Sequence, residues 1–255
     1  MLTVLSLVAS LPDASAHPED EFCTPGEGVL DPELCAALSV LDSSGATSEQ
    51  LEPILNDEGL QRGLWSTAGL YLWIGVKHIL PAGLDHILFV LALFLSSTRV
   101  RALVIQISTF TVAHTATLGL AAAGVLIPSS GVVEPLIAAT IAFVAIENVF
   151  MKDMPRWRPA LVFLFGLVHG LGFAGFFGEL GLPPGQFWSA LIGFNVGVEV
   201  GQLSIIAVAI GASLLIRRNM LREGREIAWR RYVVVPVSAV IGVTGLVWTV
   251  ERLLS

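Results

Sequence analysis

The chain has 255 residues, of which 54% are hydrophobic and only 14% charged, and its mean hydropathy is +0.77. A soluble domain carries about 25% charged residues, so this chain cannot cover a globular surface with polar side chains and reads as a membrane protein. The net charge of -7 comes from acids crowded towards the N-terminus: residues 17 to 68 hold eleven Asp and Glu against one basic residue, Arg62, which excludes a basic surface for nucleic acid or anionic lipid there.

In chain order, the apolar stretch LTVLSLVASL is followed by Pro12 and the small residues Ala14, Ser15 and Ala16, so residues 1 to 16 read as a signal peptide cleaved before His17. Residues 17 to 64 form a small acidic extracytoplasmic segment with too little apolar material for its own core. Its two cysteines, Cys23 and Cys35, are expected to form a disulfide in an oxidising compartment. From residue 65 to 255 the apolar runs, such as Leu136 to Ile146 and Ile205 to Ile216, are longer and less alternating than barrel strands. They predict an all-α polytopic bundle with six spans, near 78–98, 102–125, 133–151, 159–178, 187–216 and 232–252. Pro81 and Gly83 break the first span, and Trp65 to Lys77 reads as an interfacial lead-in to it.

Basic residues orient the bundle. Arg99 and Arg101 follow span one, Lys152, Arg156 and Arg158 follow span three, and Arg217, Arg218, Arg222, Arg225, Arg230 and Arg231 follow span five. These are eleven of the fourteen Lys and Arg, whereas the opposite loops, IPSSGVV and GELGLPPGQ, have none. Short cytoplasmic loops collect Lys and Arg, so both termini are expected outside the cytoplasm.

A charge at mid-bilayer costs about 2.5 to 3.5 kcal/mol even on insertion scales, so each one needs a purpose. The spans carry His78, Asp85 and His86; Gln106, Thr111, His114, Thr115 and Thr117; Glu147 and Asn148; His169; and Asn195, Glu199 and Gln202. Span six carries nothing comparable and reads as structural. At about 1.5 Å of rise per residue, Asp85, His86, His114, His169 and Glu199 fall at a similar height near the midplane. His78 falls towards the outer face and Glu147 towards the inner one. The Thr and Gln residues more often hydrogen-bond between helices. Asn195, Glu199 and Gln202, spaced i, i+4, i+7, form one stripe facing a polar interior, while Gly193, Gly197 and Gly201 form another facing a close helix neighbour. Gly166 and Gly170 bracket His169 in the same way.

Neutral imidazole with carboxylate suits divalent nickel, cobalt, zinc or copper, and the absence of thiols from the spans argues against a soft thiolate site. The expected metal-binding residues are His78, Asp85, His86, His114, His169 and Glu199. Glu147, Asn148, Asn195 and Gln202 are expected along the path or behind the ligands. The break in HILPAGLDH places a helix interruption between two imidazoles and a carboxylate, as transporters do at ion sites.

Five segments, GVKHILPAGLDHILFVLALFL, FTVAHTATLGLA, EPLIAATIAFVAIEN, FGLVHGLGFAG and GFNVGVEVGQL, resemble in order the HupE/UreJ family of bacterial membrane proteins, over about residues 65 to 216. The resemblance implies six or seven helices in the inner membrane. For members associated with hydrogenase or urease it implies nickel or cobalt uptake, with a metallochaperone or metalloenzyme-maturation partner. The histidine-to-aspartate spacing in HILPAGLDH is longer than in the better characterised nickel permeases, so zinc and copper stay open.

The reading is transport of a divalent transition metal by a non-enzyme embedded in the lipid bilayer. Its alternatives are an intramembrane zinc-dependent hydrolase or a metal-delivery accessory protein. The range of depths from His78 to Glu147 favours transport.

Overall fold

The computed structural model describes residues 63–81, 83–97, 99–151, 155, 157–173, 185–220 and 225–254. The expected signal peptide, the acidic segment up to residue 62 and the Cys23–Cys35 disulfide lie outside the described residues. All regular elements among the described residues are helices: α1 Leu64–Ile79, α2 Leu84–Ser96, α3 Val100–Ala122, α4 Ser130–Phe150, α5 Arg158–Gly172, α6 Phe187–Met220, α7 Arg225–Trp229 and α8 Val235–Leu254. A π-helical turn, Arg230–Val234, joins α7 to α8.

The helices α3, α4 and α6, and the joined α7–α8 unit, are each long and apolar enough to cross a membrane. The pair α1 and α2 meets that test only together, bent by 72° at the Leu80–Gly83 break. α5 is a shorter apolar helix of 15 residues, and the rest of the predicted fourth span lies outside the described residues. Four spans, or five with the bent pair counted as one, are therefore present by length and composition.

The break has a local cause. Pro81 has no N–H to continue the helix. Gly83 sits against the end of α1, where a Cβ would run into the His78 carbonyl oxygen. The predicted lead-in forms the body of α1, which lies along α6 with backbones almost touching. A Cβ added at Gly193 would strike the carbonyl of Ala68, at Gly197 that of Leu72, at Gly75 that of Phe194, and at Gly201 the side chain of Ile79. The predicted glycine stripe thus faces a helix, and that helix is α1.

Two further contacts complete the interior. α5 lies on α3, with Gly166 against Phe110 and Ala113 and Gly170 against His114 and Thr117. α8 lies on α4, with Gly245 against Ala138 and Ala142. Lipid chains are as apolar as leucine, so close backbone approach at small residues supplies much of the association between membrane helices. Outward residues such as Val104, Ile105 and Val112 of α3 are exposed, as a lipid-facing surface requires.

At the other end of α4, Arg230 from the π-turn donates to the carbonyls of Asn148, Val149 and Met151 at 2.8 to 3.0 Å. The last carbonyls of a helix have no partner within it, and a guanidinium there also meets the negative end of the helix dipole. Arg217 at the end of α6 lies over the Trp229 ring at 4.5 Å. The ends of α4 and α6 and the start of α8 are thereby tied together.

Replacement of Gly197 by Val should destabilise the protein by about 1 to 3 kcal/mol through overpacking against α1. Gly211→Ala, where nothing stands within 4 Å of the new Cβ, should leave stability unchanged or slightly raised. Thermal unfolding of both variants in one detergent checks the contrast; equal melting temperatures would refute the α1–α6 contact.

Candidate metal centre

Four imidazoles converge from four helices. His78 stands in the last turn of α1 and His86 in the first turn of α2, so the break folds one ring against the other, with centroids 4.8 Å apart. His114 of α3 and His169 of α5 approach His86 at 6.1 and 5.2 Å between ring centroids. They reach it because Gly166 and Gly170 let α5 lie on α3. His86, His114 and His169 are buried, and His78 is half-buried.

One ring nitrogen from each of His78, His86 and His114 can be chosen so that all three lie within 4.8 Å of one another. Metal–nitrogen bonds of about 2.0 to 2.1 Å around a tetrahedral ion require nitrogens about 3.3 to 3.4 Å apart. The cluster is thus at most about 1.5 Å too open, a gap that small side-chain rotations close.

The hydrogen-bond partners fix which nitrogens are available. Asn195 Nδ2 donates to the Leu191 carbonyl at 2.8 Å, which sets the amide orientation. Its Oδ1 can only accept, so at 2.9 Å from His114 Nδ1 it takes a proton from that nitrogen. The lone pair of His114 is then on Nε2, which is buried with no partner. Thr140 Oγ1 donates to the Ile137 carbonyl at 2.7 Å and therefore accepts from His169 Nε2 at 2.9 Å, leaving the lone pair on Nδ1, also buried without a partner. The Nε2 atoms of His78 and His86 are likewise buried and unpartnered. A ligating histidine characteristically donates its second N–H to an oxygen acceptor in this way.

Aromatic rings enclose the cluster. Phe173 lies 4.1 Å from the His78 ring, Phe89 and Phe110 each 5.1 Å from His169, and Phe194 6.3 Å from His114. They exclude water, and their ring faces tolerate a cation.

The carboxylates stand apart from this group. Asp85 is held by Arg252 of α8, whose Nη2 lies 3.2 and 3.0 Å from the two carboxylate oxygens. Glu199 accepts from Ser108 Oγ at 2.6 Å. Glu147 is paired with Arg158 at 2.7 Å, both side chains almost wholly buried. Asn148 donates to the Ala92 carbonyl at 2.7 Å, and Gln202 accepts from Thr111 at 3.3 Å. The stripe Asn195, Glu199 and Gln202 does share one face, and each of the three has a partner on α3.

The bend folds His78, expected towards the outer face, into the cluster. The last helix, expected to carry no comparable polar group, sends Arg252 to Asp85. Thr140, Arg252 and the four phenylalanines escape a sequence reading. A hydroxyl or a ring within an apolar run carries no signal of its own, and Arg252 near a span end reads as an interfacial charge. Position offers one clue to Thr140: it lies midway between Glu134 and Glu147 on the same helix.

A family model described as HupE / UreJ protein matches residues 56–252, which takes in every helix described here but the last two residues of α8. No curated protein and no solved structure matches the chain.

Asn195→Ala and Thr140→Val should each weaken metal binding about 10- to 100-fold by releasing a ligand ring from its orienting acceptor, with the helical circular dichroism unchanged. Competition against a chelating dye with nickel(II) and zinc(II) measures this. Affinities within threefold of wild type for both variants would refute the proposed ring orientations.

Proposed function

The chain belongs to the HupE/UreJ family, and from that premise we propose that it carries a divalent transition metal, nickel or cobalt first, across the bacterial inner membrane. The observation that supports this most directly is the convergence of imidazole lone pairs without hydrogen-bond partners inside a membrane bundle. His78, His86 and His114 bind the ion, and His169 is the fourth ligand once the rings rotate onto it. Asn195 and Thr140 hold the rings of His114 and His169 in register. Neutral nitrogen donors in a dry aromatic enclosure select a transition metal over calcium or magnesium, which demand oxygen ligands.

Six crossings with both termini outside the cytoplasm fit this reading. The bent pair α1–α2 makes one crossing, and α5 stands where the sequence places the fourth. The arginines at the ends of α4 and α6 and at the start of α8 then gather on the cytoplasmic side, as short basic loops do. The acidic N-terminal segment lies on the opposite side, where it raises the local concentration of cations.

A second reading has its own support. The imidazoles meet at one place, and Asp85 and Glu147 are engaged by arginines. A single enclosed site also suits a resident metal, in a delivery protein or in a hydrolase whose metal-bound water has its pKa lowered to about 7.

Purified protein in liposomes, challenged with nickel, cobalt, zinc and copper, separates the two. The transport reading expects one metal to accumulate and His86→Ala and His169→Ala to lower its uptake at least tenfold. Stoichiometric metal bound to the protein with no accumulation in sealed vesicles would refute transport and leave the resident-metal reading.

A further inference from the structure

α4 acts as a ruler for the interior. Arg252 Nη1 donates to the Glu134 carbonyl near its start at 3.2 Å, while the other arm of the same guanidinium holds Asp85. Thr140, about 9 Å further along, touches His169. Glu147, about 10 Å beyond Thr140, pairs with Arg158. Two ion pairs shielded from solvent therefore stand on opposite sides of the imidazole cluster, roughly one and a half helical turns or more away along α4.

Their partners come from the elements that build the site. Asp85 precedes His86 in the first turn of α2, and Arg158 opens the helix that carries His169. Each arginine is thus a tethered cation lying on a carboxylate: Asp85 adjoins the ligand His86, and Arg158 shares the helix of His169. The side chains of Arg158 and Glu147 are 2% and 5% exposed, and those of Arg252 and Asp85 9% and 16%. A bare carboxylate at such a place would hold a divalent ion too well for it to leave, and conduction requires sites an ion can leave.

We propose that Arg252 and Arg158 are built-in counter-ions that mask Asp85 and Glu147, one on each side of the imidazoles, and that each carboxylate takes the metal ion only when its arginine moves off. This rests on the transport reading. It adds two cation sites and two barriers to it: the guanidinium that occupies the carboxylate also repels an arriving cation, so a closed pair seals its side. A pair that opens supplies a ligand at the moment it removes a barrier.

The test compares full-length wild type with Arg252→Gln, Arg158→Gln and the neutral doubles Asp85→Asn/Arg252→Gln and Glu147→Gln/Arg158→Gln. Nickel(II) is the probe, followed by calorimetric binding to purified protein and by flux into liposomes. Unmasking predicts at least tenfold tighter nickel binding, or a second equivalent, in each single arginine variant, together with reduced flux because the ion is trapped. Each double variant should return to wild-type binding yet remain slow.

Where a glutamine variant fails to fold, Arg252→Lys or Arg158→Lys replaces it, with an intermediate gain in affinity expected from the shorter reach. Folded single variants that bind nickel within threefold of wild type would overturn the masking. So would a double variant that recovers full flux, because the pair would then be only structural. Absence of flux in wild type with binding intact removes the transport reading alone, since the affinity comparison still decides whether the arginines mask the carboxylates. Wild type and single variants that all bind no nickel would overturn both.

Discussion

Backbone contact at glycine is the interaction on which the interior depends. A membrane gives helices no hydrophobic reason to meet one another, and an imidazole is a short side chain. Rings carried by four different helices can meet only where their backbones come closer than ordinary side chains allow. Gly75, Gly193 and Gly197 bring α1 onto α6, and Gly166 and Gly170 bring α5 onto α3. The first contact sets His78 beside Phe194, and the second sets His169 near His114 and His86. Gly83, packed on the His78 carbonyl, closes the break between these two systems, so that consecutive half-helices contribute two ligands from one short stretch.

Much of this can be read from the sequence because the signals are periodic. Glycines four residues apart mark a helix face, and the spacing of Asn195, Glu199 and Gln202 marks another. Both faces meet what their chemistry demands, a helix backbone in one case and the polar side of α3 in the other. Depth is less legible. Counting residues along an axis assumes a straight helix, and the 72° bend after His78 breaks that assumption just where it matters. The partners of the charged groups are least legible of all. Asp85 and Arg252 are 167 positions apart, and no local pattern connects them. The fourth imidazole could be listed from sequence, but its orientation depends on Thr140, a hydroxyl that any span might contain.

The interior therefore holds two kinds of polar group, arranged by different rules. The described charges on Asp85 and Glu147 are each matched by an arginine, which avoids the several kcal/mol that an unpaired buried ion costs. The imidazoles carry no such compensation and keep buried nitrogens without partners. A buried polar atom left unmatched in a folded protein usually has a use. Here the unmatched atoms include the four imidazole nitrogens that a transition metal would take as ligands, while the two ion pairs stand around them at a distance.

The proton positions on His114 and His169 have a consequence for charge movement. Each ring directs its N–H outward, to Asn195 or Thr140, and its lone pair inward. The inward nitrogen of neither ring then carries a proton for an arriving cation to displace, so these two ligands do not trade protons for metal. An ion crossing this site would carry its full double charge through the membrane, making the step electrogenic. A potential of 100 mV, negative inside, would favour inward movement by about 4.6 kcal/mol for the two charges, a bias of more than a thousandfold that needs neither a nucleotide nor a coupled ion.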